Sequence, residues 1–123
     1  MTKPESFLEH RAHPRVRVRV PVHCRSVDNP KDRENLRDQS GVVKDLSLQG
    51  LFLKTSRPVE LGEVLRLEIP LKKTGRSLFA FAEVMWVKPG KWFFKNGAGL
   101  KLMLMPVEDQ EELKAYLEQV STR

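Results

Sequence analysis

The chain has 123 residues, of which 22 are Lys or Arg and 16 are Asp or Glu, so its formal net charge is +6. This length favours one domain with a modest core, and the positive charge favours an anionic partner such as a nucleotide, a nucleic acid or a membrane surface. A single cysteine, Cys24, excludes an internal disulfide. Because the sequence has no apolar run of the roughly 18 residues that span a bilayer and no apolar leader, we expect a cytoplasmic protein without membrane insertion.

The N-terminal residues 1–10 are polar apart from one short apolar pair, and they predict a flexible arm ahead of a single domain over residues 11–123. Arg11 and Arg15 follow, four positions apart and directly before the first predicted strand. Each guanidinium offers a planar fork that pairs with a phosphate and stacks on a base. In a chain this basic the spacing also arises by chance, so the pair is informative only together with a second motif.

The first predicted strand runs from Arg15 to Cys24, where valines alternate with polar residues at period two. The alternation directs the valines and Cys24 inward, and it directs Arg17 and Arg19 outward, where they extend a basic surface. A polar stretch over residues 26–40 predicts a long surface connection before the second strand.

A corner between the second strand, which starts at Val42, and the third, Leu51–Thr55, contains Asp45, Ser47 and Gly50. A carboxylate accepts from two adjacent N–H groups such as those on the edge of a guanine, and a hydroxyl adds a hydrogen bond beside it. Glycine permits a tight turn or leaves room for a flat ligand. An ordinary turn favours the same residue types, so this motif alone also fits a plain turn.

Further strands and one helix complete the predicted elements. In the fifth strand, the alternation puts Trp86 on the same face as Val84. Residues 79–82 are apolar on both faces, which predicts cover on both sides with the terminal helix as the cover. Six strands followed by one helix indicate an all-β protein with a C-terminal helix, built as a small six-stranded antiparallel β-barrel. The remaining elements are strands over 64–71, 77–87 and 97–105 and a helix over 108–120.

The two motifs in this order, R-x-x-x-R at Arg11 and Arg15 and D-x-S-x-x-G at Asp45, Ser47 and Gly50, resemble the PilZ domain family. The resemblance runs from about Arg11 to the C-terminal helix. It implies a barrel with a helix packed at its end. It also implies that these five residues bind the bacterial second messenger cyclic di-GMP, with the arginines on the phosphates and a guanine, Asp45 on the guanine N–H groups and Gly50 leaving room for the base.

No nucleophile with a neighbouring base, phosphate loop or metal-ligand cluster stands out in the sequence, so we predict neither an enzyme nor a metal or cofactor site. The predicted function is a non-catalytic cyclic di-GMP receptor whose N-terminal arm orders on binding and is read by an unidentified downstream protein. One alternative is a PilZ-like adaptor that has lost ligand binding. Another is a small basic barrel for single-stranded nucleic acid, which is disfavoured because the strand arginines alternate with valines rather than aromatic residues.

Overall fold

A computed structural model describes residues 15–27, 39–71, 76–90 and 96–121. These residues form six strands and one helix in the predicted order, and the element boundaries agree with the predicted ones to within three residues. The elements are β1 (Val16–Ser26), β2 (Gln39–Leu46), β3 (Gly50–Thr55), β4 (Val64–Leu71), β5 (Arg76–Lys88), β6 (Asn96–Leu104) and α1 (Val107–Ser121).

The six strands close into an antiparallel barrel in the order β1-β2-β3-β6-β5-β4. Closure gives every strand two neighbours, so no edge is left unpaired. The predicted all-β class with a C-terminal helix is therefore confirmed.

The barrel interior is filled by the inward residues of the alternating strands. In β1, Val20, Val22 and Cys24 are buried, whereas Arg17 and Arg19 are exposed, as the period-two pattern predicts. Complete burial of a leucine or isoleucine side chain contributes about 1.5–3 kcal/mol, so the core is the main source of stability. Its largest fully buried apolar side chains are Leu46, Leu51, Leu53, Leu67, Ile69, Leu78 and Leu113.

The helix α1 packs on the barrel and contacts β1 and β5. Leu113 and Leu117 are buried against the core. Asp109, in the first turn, is also buried, and its Oδ2 accepts a hydrogen bond from the backbone N–H of Phe79 at 3.0 Å. Within the described residues, no helix has the length and apolar character needed to cross a membrane.

The predicted double cover of residues 79–82 is only partly correct. Ala80 and Ala82 are buried in the core, but the rings of Phe79 and Phe81 on the outer face remain more than a third exposed. The guanidinium of Arg66 in β4 covers part of this face, since it lies 4.8 Å from the centre of the Phe79 ring.

Candidate functional site

One residue from each predicted motif meets at the surface of the barrel. Arg15, just before β1, donates from Nη1 to Oδ1 of Asp45 in β2 at 3.0 Å. The two side chains keep 51% and 28% of their surfaces exposed, so both remain accessible. Arg11, the other predicted arginine, lies outside the described residues. The structure therefore brings together Arg15 and Asp45, which are thirty positions apart in the sequence.

Asp45 points outward because β2 contains a bulge. Val43 and Leu46 are both fully buried although they are three positions apart, which strict alternation forbids. The pairing of β2 with β3 shifts register between Val43 and Asp45, and the extra residue turns Asp45 to the outer surface. The predicted corner is thus corrected: Asp45 is a strand residue, paired with Arg17 on one side and Phe52 on the other.

Ser47 holds the turn that follows. Its side chain is 3% exposed, its hydroxyl accepts from the backbone N–H groups of Gln49 at 3.1 Å and Gly50 at 3.2 Å, and it donates to the Gly50 carbonyl at 3.3 Å. The backbone N–H of Ser47 donates to the same carbonyl at 2.9 Å. The observed role of Ser47 is to fix this turn, and its predicted hydrogen bond to a ligand stays a prediction.

Gly50 allows β3 to approach β6 closely. It pairs with Lys101, and a Cβ added to Gly50 would collide with the carbonyl oxygen of Leu100. The turn is also tied to β6 by a hydrogen bond of 2.8 Å from the Leu102 N–H to the Gln49 carbonyl. The observed reason for a glycine is therefore strand packing, and its predicted role in leaving room for a base stays a prediction.

An aromatic pair that the sequence analysis missed lies beside Asp45. The rings of Phe52 and Trp86 stack with centroids 5.4 Å apart and an interplanar angle of 23°. Phe52 is the cross-strand partner of Asp45, and Gly99 is the partner of both Phe52 and Trp86. Paired positions on β2, β3, β6 and β5 therefore form one row, which we call the aromatic row. It consists of Asp45, Phe52, Gly99 and Trp86, with the carboxylate at one end and the indole at the other.

The prediction that Trp86 lies on the same face as Val84 is wrong. The pairing of β5 with β6 shifts register between Val84 and Trp86, so Val84 stays buried while Trp86 turns outward with 46% exposure. The indole lies over Gly99, where an added Cβ would collide with Nε1. Gly97 and Gly99 lie two positions apart on β6, and neither has a side chain that would displace a ring. This spacing of glycines in a strand is the sequence signal that could have indicated aromatic rings packed on its surface. Trp92, Phe93 and Phe94, the other aromatic residues that could stack on a base, lie outside the described residues.

Positive charge lies beside the carboxylate on the β1 side. Arg17 lies directly opposite Asp45 across the β1–β2 pair, and Arg19 follows on the exposed face of the same strand. One acceptor group next to several exposed guanidinium groups suits a ligand that carries both N–H donors and negative charge.

Comparison of the sequence with protein-family models gives a match to the PilZ domain over residues 9–119. The chain belongs to the PilZ domain family. The resemblance inferred from the two motifs is thereby confirmed, and so is the non-catalytic class, since PilZ domains are not enzymes. The predicted division at residue 10 between an arm and the domain stays a prediction.

Solved structures share the fold. The PilZ domain of Escherichia coli YcgR with cyclic di-GMP superposes with a TM-score of 0.70 at 10% identity, covering 89% of this chain and 90% of that one. The K. pneumonia MrkH–cyclic di-GMP complex gives 0.69 at 18% identity and 89% coverage of this chain. The Bacillus subtilis inhibitor of motility MotI/DgrA gives 0.66 at 19% identity and 90% coverage.

This PilZ domain spans about half the length of MotI and MrkH, 51% of each chain. No curated protein matches its sequence at a significant level. At the identities found, the structural likeness concerns the fold.

Proposed function

We propose that this PilZ domain is a non-catalytic receptor for cyclic di-GMP, which binds on the outer surface around Arg15 and Asp45. The observation that carries the proposal is the 3.0 Å ion pair that joins the two motifs. It brings together a guanidinium, which can pair with a phosphate, and a carboxylate, which can accept from the N–H groups of guanine. The structures of the YcgR domain and of MrkH with cyclic di-GMP support the same ligand.

The chemistry of Asp45 selects guanine. Its two oxygens accept from the two neighbouring N–H donors on the guanine edge, whereas adenine presents a donor beside an acceptor and leaves one oxygen unpaired. Arg15 is released from Asp45 in this exchange and pairs with a phosphate, and Arg11 acts beside it. An exposed ion pair contributes about 0–1 kcal/mol and a bidentate base contact about 1–3 kcal/mol, so the exchange favours binding.

The aromatic row supplies the contact that holds the base flat. A guanine with its edge on Asp45 lies next to Phe52, the cross-strand neighbour, and reaches the exposed indole of Trp86. Stacking on an aromatic side chain contributes about 1–3 kcal/mol per base. In this arrangement Ser47 and Gly50 act by holding the turn and the strand that position Asp45 and Phe52.

Isothermal titration calorimetry tests the proposal. We expect saturable binding of cyclic di-GMP, and weaker binding of cyclic di-AMP and of the linear dinucleotide. Equal affinity for cyclic di-AMP would contradict the guanine contact of Asp45. Absence of binding favours the adaptor, whereas salt-sensitive and sequence-indifferent affinity for a short oligonucleotide favours the nucleic-acid binder.

The output we propose is ordering of the N-terminal arm, which then presents a new surface to a downstream protein. The contacts that Arg11 and Arg15 make with the phosphates and guanine supply the difference in free energy that drives this change. Hydrogen exchange measures it. The amides of residues 5–14 should be protected when cyclic di-GMP is added, while the amides of β1 stay protected in both states. Unchanged exchange in residues 5–14 at saturating ligand would refute the ordering and leave binding itself untouched.

A further inference from the structure

A second row of paired residues runs beside the aromatic row on the outer surface of the barrel. It crosses the same four strands and consists of Val42, Lys54, Gly97 and Lys88, which we call the lysine row. On β3, β6 and β5, each member lies two positions along the strand from a member of the aromatic row. Residues two apart on a strand share a face, so two ammonium groups lie on the same surface as the aromatic pair.

The ring of Phe52 lies between the two lysines of this row. A Cβ added to Gly97 would lie 2.6 Å from Cζ of Phe52, so the ring covers this glycine. Gly97 is the cross-strand neighbour of both Lys54 and Lys88. Adjacent strands lie about 4.8 Å apart, which separates the backbones of the two lysines by about 10 Å. Their flexible four-carbon stems allow both ammonium groups to meet one anion above the ring.

The charges of the two lysines are not balanced by a neighbouring acid. Across the strand pairs that include them, Lys54 and Lys88 face only Val42 and Gly97. Within the part of the chain that the structure describes, neither side chain takes part in an ion pair or a hydrogen bond. Lys101 differs, because it faces Glu83 across the β5–β6 pair. The lysine row is therefore the side of the aromatic row that suits a negatively charged group.

We propose that Lys54 and Lys88 together bind one of the two phosphates of cyclic di-GMP, an inference that rests on the function proposed above. When the N–H edge of a guanine lies on Asp45, its sugar is attached to the five-membered ring and extends away from the carboxylate, over β3 and β6. Arg15 lies at the Asp45 end of the aromatic row and takes one phosphate. The lysine row runs along the side of the aromatic row and takes the other.

Two double variants with the same net charge test this assignment by isothermal titration calorimetry. Lys54→Gln with Lys88→Gln should weaken binding of cyclic di-GMP about tenfold, since one exposed ion pair contributes up to about fivefold. The control, Lys101→Gln with Lys114→Gln, removes two charges from β6 and α1 and should weaken binding less than about twofold. Circular dichroism checks that both proteins are folded.

Repeating the titrations at high salt tests whether the loss comes from charge. From about 0.1 M to about 1 M salt the screening length falls from about 10 Å to about 3 Å. The tenfold difference between the two double variants should then shrink to less than about threefold. If the Lys54 and Lys88 double variant does not fold, Lys88→Gln against Lys101→Gln makes the same comparison, with an expected loss of about threefold, because Lys88 is fully on the surface.

The outcomes separate this inference from the proposed function. Equal affinities of the two double variants would overturn the lysine assignment and leave cyclic di-GMP binding in place. A loss of the same size at both salt concentrations would also overturn it, because the effect would not then come from charge. Absence of cyclic di-GMP binding by the wild type would contradict the proposed function, and the lysine assignment would fall with it.

Discussion

Two parts of the barrel differ in how regularly inward and outward residues alternate. We call β4 the regular wall, and we call β2, β3, β6 and the second half of β5 the irregular wall. Along β4, inward and outward residues alternate without interruption from Val64 to Leu71. Across β2, β3, β6 and the second half of β5, the pairing shifts register at Asp45 and again at Trp86. The regular wall contributes mainly to the core. The irregular wall places a carboxylate and an indole on the outer surface, so the candidate site lies where alternation is broken.

Gly50→Ala should have the largest effect, because it acts on the backbone pairing of the irregular wall. The added Cβ collides with the Leu100 carbonyl, so β3 and β6 must separate. We expect the free energy of unfolding, measured by urea denaturation, to fall by about 2–4 kcal/mol.

Gly62→Ala is the control for this substitution. A Cβ at Gly62 meets no atom within 4 Å, but the residue has a φ of 84°. Its replacement should cost only about 1–2 kcal/mol. An equal or smaller cost at Gly50 would contradict the close approach of β3 and β6.

Asp45→Ala should weaken binding of cyclic di-GMP by about ten- to a hundredfold while circular dichroism shows a folded barrel. The reason is that the bulge directs this carboxylate outward, away from the core. Glu68→Ala removes a carboxylate from the outer face of the regular wall and should leave the affinity unchanged. If Asp45→Ala unfolds the domain, the residue is structural and the site proposed here is wrong.

Trp86→Leu should reduce affinity by about tenfold through loss of stacking, with little effect on stability because the indole lies outside the core. Phe79→Leu is the matched control, since it removes a partly exposed ring from the same strand outside the row that begins at Asp45. Calorimetry on both variants makes the comparison. Equal losses for the two would show that the row has no special role.

The positions of the strands along the chain and their buried faces can be predicted from the sequence because both depend on each strand by itself. The valines of β1 alternate, and the helix repeats its apolar residues every three or four positions, so their buried faces follow directly. A bulge depends instead on how many residues one strand sets against its neighbour. That number is not visible in either strand alone. The alternation therefore predicts the face of Val84 for Trp86 and a corner for Asp45, whereas Trp86 lies on the outer face and Asp45 in a strand.

The site motifs were found in sequence, but the reason for each residue was found only in the structure. D-x-S-x-x-G suggested three ligand contacts, whereas Ser47 is engaged in its own turn and Gly50 is packed against β6. One short motif thus combines a carboxylate that faces outward with two residues that fix the turn and the strand beside it.

The ion pair between Arg15 and Asp45 allows the stability of the irregular wall to be separated from its proposed role in binding. Arg15→Gln removes the ion pair with Asp45, whose partners are 51% and 28% exposed. Exposed pairs contribute about 0–1 kcal/mol and are screened by salt, so unfolding in urea should change by less than about 1 kcal/mol. Binding of cyclic di-GMP should nevertheless fall, because glutamine has no charge for a phosphate and no fork for a bidentate contact. Arg25→Gln, on the same strand but distant from Asp45, serves as the control. It should change the free energy of unfolding by less than about 1 kcal/mol and leave the affinity for cyclic di-GMP unchanged. A loss of stability well above this value would mean that the pair holds β1 to β2, in which case reduced binding by the variant would reflect the fold and not the ligand.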